Sequence, residues 1–328
     1  PFLPSDFFSG ALEAAGQSDP MGTQRLIDVK SGLTPSIAFS SSYNYSSNPI
    51  KVPKESAGHI QDGFNALLNL SVNMGLGEYG VGDDVLVAPA LMLMHMRTYN
   101  DPVNDYGGSD VNGSLKIFDV DVQIAGVTVP IIFPNDYTLT LGHSYARPIS
   151  FRNDNVISYS NTPNVSLTKT LPLATGDVLT FTLGTSYAFT SGDTLEEQIN
   201  DTNYFNFIKE VMRQGGTDPL SQQPVNLQDA WTHTLALSYV RPFGEKLTLT
   251  PTLAASMMQY TEGANVIGGS DREDLTYIAG LNASYLITEW LNVSAAANQM
   301  WKRTNRTDLS GEYEDFLGGV TIGFNFSF

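Results

Sequence analysis

The chain has 328 residues, a formal net charge of -17, 16% charged residues and no cysteine. The lack of cysteine excludes disulfide bonds, thiolate metal sites and a cysteine nucleophile, and 34 acidic against 17 basic residues argue against nucleic-acid binding. No uninterrupted apolar run approaches the ~20 residues that a transmembrane helix requires. Because the charged fraction is below the ~25% of a typical soluble domain while aromatic residues reach 11%, we predict an all-β chain that is partly surrounded by lipid.

Residues 1–32 precede the first predicted strand and do not share its pattern. Ser5 is positioned to cap a short helix that carries Phe7 and Leu12. We expect this segment to be an ordinary tail on the periplasmic side, a plug inside a lumen, or a docking segment for an envelope protein. The chain begins at Pro1 without a basic and apolar targeting stretch, so we also expect that a secretion signal was removed from a longer precursor.

From residue 36 onward, apolar and polar residues alternate with the period of two that a half-buried strand shows. In the segment that starts at Phe64, one face is apolar and the other carries Asn69 and Asn73. In a later segment, Asp119 and Asp121 alternate with aliphatic residues. The predicted strands lie at 36–45, 63–77, 85–99, 114–125, 137–146, 164–171, 178–190, 230–240, 247–260, 274–286, 290–302 and 314–328.

The connections between these strands are alternately short and long. Bacterial membrane barrels have short periplasmic turns and longer external loops, whereas a soluble sandwich has no reason for such an alternation. The polar faces consist mainly of Thr, Ser, Asn and Gly, which is typical of a lumen and unusual for the exposed face of a soluble sheet. We therefore predict a transmembrane antiparallel up-and-down β-barrel of about twelve strands over residues 33–328, with ten or fourteen strands as the alternatives.

The polar faces supply candidates for the lining of this lumen. The alternation predicts that Asn69, Asn73, Asp119 and Asp121 face inward. Charged groups inside a barrel tune its selectivity at little cost in lipid exposure. The two carboxylates would therefore either favour cations at a constriction or be neutralised by basic residues from a neighbouring element.

Aromatic residues recur on the apolar faces at a spacing of eight positions. The pairs are Tyr137 and Tyr145, Trp231 and Tyr239, and Tyr277 and Tyr285. Eight residues at a rise of ~3.3 Å and a tilt of ~40° span roughly 20 Å along the membrane normal. We predict two aromatic belts, one at each membrane interface, although Tyr and Trp are also good strand formers in general.

The predicted external loop at 100–113 is rich in oxygen ligands. Asp101, Asp105 and Asp110 lie among asparagines and glycines, and carboxylates of this kind bind Ca²⁺. The spacing does not match an EF-hand, and Asp, Asn and Gly are also ordinary turn residues. A calcium site is therefore an alternative to a plain loop.

The predicted external loop at 191–229 is too long to be a simple connection. Part of it follows helical spacing, which predicts a helix whose apolar stripe is formed by Tyr204, Phe207, Ile208 and Val211. We expect this stripe to pack over or into the mouth of the barrel, or to contact another protein. The loop is also acidic, so it would favour cations at the mouth.

The last nine residues, Val320 to Phe328, alternate apolar and polar residues and place Phe324, Phe326 and Phe328 on one face. This pattern resembles the last strand of bacterial outer-membrane β-barrel proteins, which end in an aromatic residue. The resemblance implies a location in the outer membrane of a Gram-negative bacterium, in contact with the bilayer and with lipopolysaccharide. It also implies that the outer-membrane assembly machinery reads these phenylalanines as its signal.

Chemical motifs are sparse in this sequence. We find no glycine-rich phosphate loop, HExxH helix or heme-attachment motif, and His95, His143 and His233 have no nucleophile beside them on the same face of a strand. We predict that the protein is not an enzyme and has no cofactor, Ca²⁺ excepted.

Three functions are compatible with this pattern. The first is a porin-like channel for passive diffusion of small polar solutes, with a mild preference for cations. The second is a scaffold barrel with a plugged lumen that binds envelope proteins through residues 1–32 or 191–229. The third is the translocator domain of an autotransporter, which also joins an N-terminal helix to a twelve-stranded barrel.

Overall fold

The computed structural model describes residues 33–48, 62–81, 84–100, 119–150, 156, 158–191, 229–261, 272–305 and 312–328. These residues form fourteen strands, of which twelve are long and two are short extensions. The strands are β1 (Thr34–Ser46), β2 (Gly63–Gly75), β3 (Tyr79–Val81), β4 (Val85–Val87), β5 (Ala90–Asn100), β6 (Val120–Phe133), β7 (Tyr137–Ser150), β8 (Tyr159–Pro172), β9 (Val178–Ser191), β10 (Ala230–Phe243), β11 (Leu247–Tyr260), β12 (Glu273–Thr288), β13 (Leu291–Thr304) and β14 (Tyr313–Ser327).

The twelve long strands form one closed antiparallel barrel. Each long strand pairs with the next long strand in the chain, and β1 pairs with β14 to close the ring, with Ser36 opposite Ser327 and Ser46 opposite Leu317. At one end the strands are joined by turns of two to five residues, except for the extended β2–β5 connection, and at the other end by longer connections. The prediction of an up-and-down barrel of twelve strands, with short periplasmic turns and long external loops, is confirmed.

Several predicted strand bounds differ from those in the structure. The strand predicted at 114–125 lies at Val120–Phe133 and ends in a tight turn, where Asn135 and Asp136 have positive φ values of 60° and 61°. Asn and Asp tolerate this left-handed conformation because their short polar side chains bond locally, and a tight hairpin requires it. The strand predicted at 85–99 is interrupted at Pro89, which has no N–H to donate.

Beyond the interruption, β3 and β4 form a short periplasmic hairpin. They continue the lines of β2 and β5, and β4 places Leu86 opposite Ile132 of β6. Tyr79 and Val81 of β3 are exposed. This hairpin therefore extends the wall of the barrel at its periplasmic end.

The outer surface of the barrel is apolar. On each strand every second residue turns outward, and exposed leucines such as Leu93, Leu183 and Leu253, each 58–60% exposed, lie at mid-height. The twelve long strands have 11–16 residues, whereas a membrane crossing takes about 9–11 residues. The strands therefore extend past the apolar layer, and their ends lie at or beyond the interfaces. No helix among the described residues is long and apolar enough to cross a membrane.

Aromatic rings form a belt at each end of this apolar surface. The external belt contains the pairs Tyr43–Phe64, Tyr145–Tyr159 and Tyr187–Trp231, with ring centroids 4.9–6.2 Å apart. The periplasmic belt contains Trp290 against Phe324 and Phe326, at 6.2 and 6.1 Å. Tyr and Trp are enriched at membrane interfaces because one end of the ring is apolar and the other is polar. Of the predicted pairs, Tyr145 and Trp231 lie in the external belt, and Tyr137, Tyr277 and Tyr285 are exposed on the outer surface.

Candidate functional site

The lumen of the barrel is lined by small polar side chains along strands β7 to β11. Most inward residues carry hydroxyl, amide, methyl or hydrogen groups, and the described part of this wall has no charged inward side chain. Most of these side chains remain partly exposed, whereas Ala146, Ala230, Thr250 and Tyr260 are buried. Examples of the partly exposed residues are Thr140, Thr162, Ser166, Thr182, Thr234, Ser238, Thr252 and Ser256. The wall therefore offers hydrogen-bonding groups to water or a polar solute.

Four inward asparagines lie flat against the wall because each faces a glycine on the neighbouring strand. The pairs are Asn44–Gly319, Asn164–Gly142, Asn292–Gly323 and Asn298–Gly280. In each pair the amide group occupies the space that the Cβ of any larger residue would fill. Glycine is therefore required at these positions for close approach of the amide, which keeps the lumen free of four bulky side chains.

Asn69 and Asn73, the two amides predicted to face the lumen, do lie on the inner face of β2. Asn69 is opposite Ser40 and Asn73 is opposite Ser36 on β1. The Oδ1 atom of Asn69 is buried and accepts no hydrogen bond from the described residues. A buried acceptor without a donor costs free energy, so this amide lowers the stability of the wall.

One sector of the inner wall is apolar. Met94 and Met96 of β5, Val120, Val122 and Ile124 of β6, and Ala146 of β7 form a buried cluster. Val120 and Val122 are only 2% exposed, although they lie toward the external end of an otherwise polar lumen. This apolar sector interrupts the polar lining on one side of the barrel.

The prediction that Asp121 faces the lumen is wrong, because the apolar face of β6 turns inward at this height. Asp121 instead lies on the outer wall, where its Oδ1 and Oδ2 atoms accept hydrogen bonds from Nε and Nη2 of Arg97 at 2.7 and 2.6 Å. Asp119 precedes β6, and its Oδ1 accepts a hydrogen bond from the backbone N–H of Asn100 at 2.6 Å. Asp119 therefore holds the external end of β5.

A buried ion-pair cluster on the inner face was missed by the sequence interpretation. Asp274 of β12 accepts hydrogen bonds from Arg272 Nε at 2.9 Å and Arg272 Nη2 at 2.5 Å, and it lies 3.0 Å from Lys302 Nζ of β13. Tyr260 donates a further hydrogen bond to Asp274, at 3.3 Å. Asp274 and Lys302 lie on the same inner face of neighbouring strands and meet only in the folded sheet, so their separation of 28 residues in the chain carried no local signal.

A second inward carboxylate lies close to this cluster along the external rim. Asp315 of β14 accepts hydrogen bonds from Ser46 Oγ at 2.8 Å, from Ser47 Oγ at 3.2 Å and from the N–H of Asn48 at 3.0 Å. All three donors are neutral, so they stabilise the carboxylate without cancelling its charge. In the described strands, charged inward residues occur only on β12, β13 and β14, toward their external ends.

The phenylalanines of the predicted assembly signal lie at the seam between β14 and β1. Phe324 is opposite Phe39, and the backbone N–H of Phe328 donates to the carbonyl of Pro35 at 3.0 Å. Phe326 and Phe328 are exposed. They are therefore accessible on the outer surface at the periplasmic end.

Two groups of predicted residues lie outside the described residues. They are the helix residues Tyr204, Phe207, Ile208 and Val211 and the calcium candidates Asp101, Asp105 and Asp110. Within the described ranges, no group of three or more His, Asp or Glu side chains is arranged to hold a metal ion.

The described histidines lie on the outer wall. The ring of His233 stacks against Trp231, and its Nδ1 lies 2.9 Å from Thr185 Oγ1. A hydroxyl beside an imidazole is two parts of a catalytic triad, which requires a third group to orient the imidazole. His233 takes part in none of the ion pairs among the described residues.

No protein-family model and no curated protein sequence matches the chain. Among solved structures, an outer-membrane channel from Pseudomonas putida F1 is similar over 94% of this chain and 99% of that one, with 10% identity and a TM-score of 0.50. The translocator domain of the autotransporter NalP from Neisseria meningitidis covers 98% of this chain and 95% of its own, with 14% identity and a TM-score of 0.44. The KdgM porin covers 86% and 97%, with 10% identity and a TM-score of 0.37.

The fold defines the class of this protein. It is a twelve-stranded transmembrane β-barrel with the architecture of bacterial outer-membrane barrels, a class that includes porins, channels and autotransporter translocators. The similarity to the Pseudomonas putida channel concerns the fold alone and not the residues that line the lumen.

Proposed function

We propose that this protein is a porin-like channel of the outer membrane of a Gram-negative bacterium, through which small polar solutes diffuse passively. The observation that carries the proposal is the inner wall of β7 to β11, where hydroxyl and amide groups remain partly exposed. A wall of this kind forms and breaks hydrogen bonds with a hydrated solute along the whole passage, and no position binds the solute strongly. Passage down a concentration gradient then requires no conformational change.

We further propose that the channel has a mild preference for cations. The chain carries a net charge of -17, and clefts lined by one sign of charge concentrate ions of the other sign. Asp315 adds a carboxylate at the external rim that is held by neutral donors. Arg272, Asp274 and Lys302 leave one positive charge among them, so the proposed preference rests on the net charge of the chain and on Asp315.

Single-channel recording in a planar bilayer tests this function. The full chain should give stable conductance steps, and a KCl gradient should give a reversal potential on the cation side. Replacement of Asp315 by Asn should reduce that preference, whereas the same replacement at Asp136, in a periplasmic turn, should leave it unchanged. Absence of conductance from the full chain would remove the open-channel proposal, and an anion-side reversal potential would remove the cation preference.

A second candidate function is favoured by the apolar sector of the lumen. A barrel that serves as a scaffold or as an autotransporter translocator holds protein inside its lumen, and the buried cluster of Met94, Met96 and Val122 supports a lumen that is filled on one side by apolar packing. In that case the full chain would be silent, and residues 33–328 alone would conduct. This outcome would also identify residues 1–32 as the plug.

Three partners are proposed from this location. The outer-membrane assembly machinery would read Phe324, Phe326 and Phe328, and lipopolysaccharide and the lipid bilayer would surround the wall. Envelope proteins are proposed as partners only through residues 1–32 or 191–229.

A further inference from the structure

The outer wall of the barrel is polar in one sector, near the external ends of β5, β6 and β7. Where the other strands expose leucine, phenylalanine or tyrosine, this sector presents His95, Arg97, Asp121, Gln123 and Arg147. Their outward direction follows from the alternation, because Leu91 and Leu93 on the same face of β5 are exposed whereas Met94 and Met96 on its other face are buried. Arg97 and Arg147 each lie three residues from the external end of their strand, and therefore close to the level of lipid headgroups.

The charges of this sector do not cancel completely. Arg97 and Asp121 form a two-pronged ion pair, and His95 Nε2 lies 3.8 Å from the same carboxylate. Arg147 is held differently, because its Nη2 donates to the neutral Oε1 of Gln123 at 2.7 Å. The Nε atom of Arg147 is buried and makes no hydrogen bond to the described residues. One positive charge is thus left over beside a neutral amide, and only Nη2 of this guanidinium bonds to a described residue.

A groove of about 420 Å³ connects this charge with the apolar surface below it. Leu70, Val72, Leu93 and Ala125 line its apolar part, and His95, Gln123 and Arg147 line its polar part. No acidic side chain is among its lining residues, since Asp121 lies behind Arg97 and is only 15% exposed. The volume falls in the range of small-molecule sites, roughly 300–1,000 Å³.

We propose that this groove binds one anionic lipid of the outer leaflet, with its phosphate on Arg147 and an acyl chain along Leu70, Val72 and Leu93. The groove and a lipid have their polar and apolar parts in the same arrangement along the membrane normal. The positive group lies at the level of the headgroups, and the apolar trough runs from it toward the middle of the membrane. Arginine binds phosphate through paired N–H donors, and Arg147 has donors left for this purpose. The inference rests on membrane insertion and does not depend on whether the lumen conducts.

Charge complementarity distinguishes the lipid from a second copy of the barrel as occupant. Two copies meeting through this sector would bring Arg147 of each toward a surface that carries an excess of positive charge. A phosphate adds the missing negative charge, and the narrow groove accommodates an acyl chain.

Native mass spectrometry of the full chain in an uncharged detergent provides the test. Phosphatidylglycerol is titrated into wild type, Arg147→Gln, which removes the charge, and Ala125→Trp, which fills the apolar trough. Arg303→Gln is the matched control, because Arg303 is an outward arginine near the external end of β13 that is not part of the groove. The heat-dependent shift in gel mobility shows that each variant has folded.

We expect one tightly bound phosphatidylglycerol per wild-type barrel, binding about tenfold weaker in Arg147→Gln and Ala125→Trp, and wild-type binding in Arg303→Gln. Diacylglycerol with the same chains, which lacks the phosphate, and inorganic phosphate, which lacks the chains, should both fail to bind. Equal lipid binding by Arg147→Gln and wild type would overturn the proposal, as would equal binding of diacylglycerol. A lipid-free dimer that Arg147→Gln abolishes would overturn it in favour of a second copy. Conductance of Arg147→Gln reports on the channel function separately.

Discussion

Replacement of Asp274 by Asn should destabilise the barrel more than any other single removal of a carboxylate on β12 to β14. The Asp274 carboxylate is 2% exposed and lies within 3.0 Å of two basic side chains, Arg272 and Lys302, which are 9% and 5% exposed. Asparagine keeps the shape and an acceptor oxygen but removes the charge. Two buried cations then remain beside a neutral group.

The expected magnitude follows from the geometry. Unit charges 3.0 Å apart attract by about 5.5 kcal/mol at an effective dielectric constant of 20. Desolvation offsets part of that attraction in the intact pair, but removal of one partner leaves the other charge buried at a cost of about 3–5 kcal/mol. Because asparagine still accepts a hydrogen bond, we expect a loss of about 3 kcal/mol in the free energy of unfolding.

Equilibrium unfolding by urea in lipid vesicles measures this loss, with the fluorescence of the three tryptophans as the signal. The matched control is Glu312→Gln, which breaks an ion pair with Arg303 at 3.1 Å whose side chains are 48% and 55% exposed. Exposed pairs contribute about 0–1 kcal/mol, so this variant should unfold almost like wild type. The difference between the two variants isolates the effect of burial.

A loss below about 1 kcal/mol for Asp274→Asn, equal to that of Glu312→Gln, would refute this reasoning. The cluster would then be screened by water inside the lumen, and its charges would act on passing ions. A strong dependence of the Asp274→Asn loss on salt would lead to the same conclusion.

Three further predictions concern the lumen, a periplasmic turn and assembly. Gly280→Ala should displace the amide of Asn298 into the lumen, which lowers single-channel conductance and costs about 1–3 kcal/mol of unfolding free energy. The control is Gly184→Ala, where the added methyl group meets only ordinary contacts, so conductance and unfolding free energy should both stay unchanged. A hydrogen bond from Tyr239 and one from Thr175 lower the pKa of Asp177. The stability that these bonds confer is therefore complete above about pH 4, the usual pKa of Asp, and is lost as the pH falls through the lowered pKa. Asp177→Asn should flatten the acid limb of the curve of stability against pH. Phe328→Ala should reduce the fraction of heat-modifiable, folded barrel in cells while the purified variant still refolds in detergent, and equal defects in both settings would contradict a signalling role.

The architecture could be predicted because it depends on local patterns. Alternation within each strand and the lengths of the connections are visible in the chain, and together they indicate the number of strands and the end at which the loops lie. The turn at 134–136 was less visible, because the alternation continues through Val127 and Val129 where the prediction ended the strand.

The direction of the β6 faces could not be predicted from the strand alone. Alternation defines two faces, and the assumption that the apolar face meets lipid fails where apolar residues from neighbouring strands meet inside the barrel. Val122 and Ile124 pack with Met94 and Met96 across the sheet, which leaves Asp121 outside with Arg97. A comparison of neighbouring strands at the same height could have identified this sector, because Arg97 of β5 and Arg147 of β7 both lie on outward faces.

The four Asn–Gly pairs and the Asp274 cluster were beyond sequence reasoning for a related cause. Their members come from different strands, and only the register of the sheet places Asn298 over Gly280 or Lys302 beside Asp274. A shift of one residue in register would separate each pair and move every side chain to the opposite face. Sites of this kind depend on the folded wall.

The seam between β1 and β14 has a consequence for the order of events in folding. Every other pairing of long strands joins neighbours along the chain, so those hairpins close over short distances, whereas the seam joins Ser36 to Ser327. Contacts between residues so far apart form late, because the chain entropy of the whole intervening segment is lost before they contribute. Until then the sheet has two open edges, which attract other unpaired strands. A newly made chain of this protein is therefore most vulnerable to misassociation at the step that completes the ring.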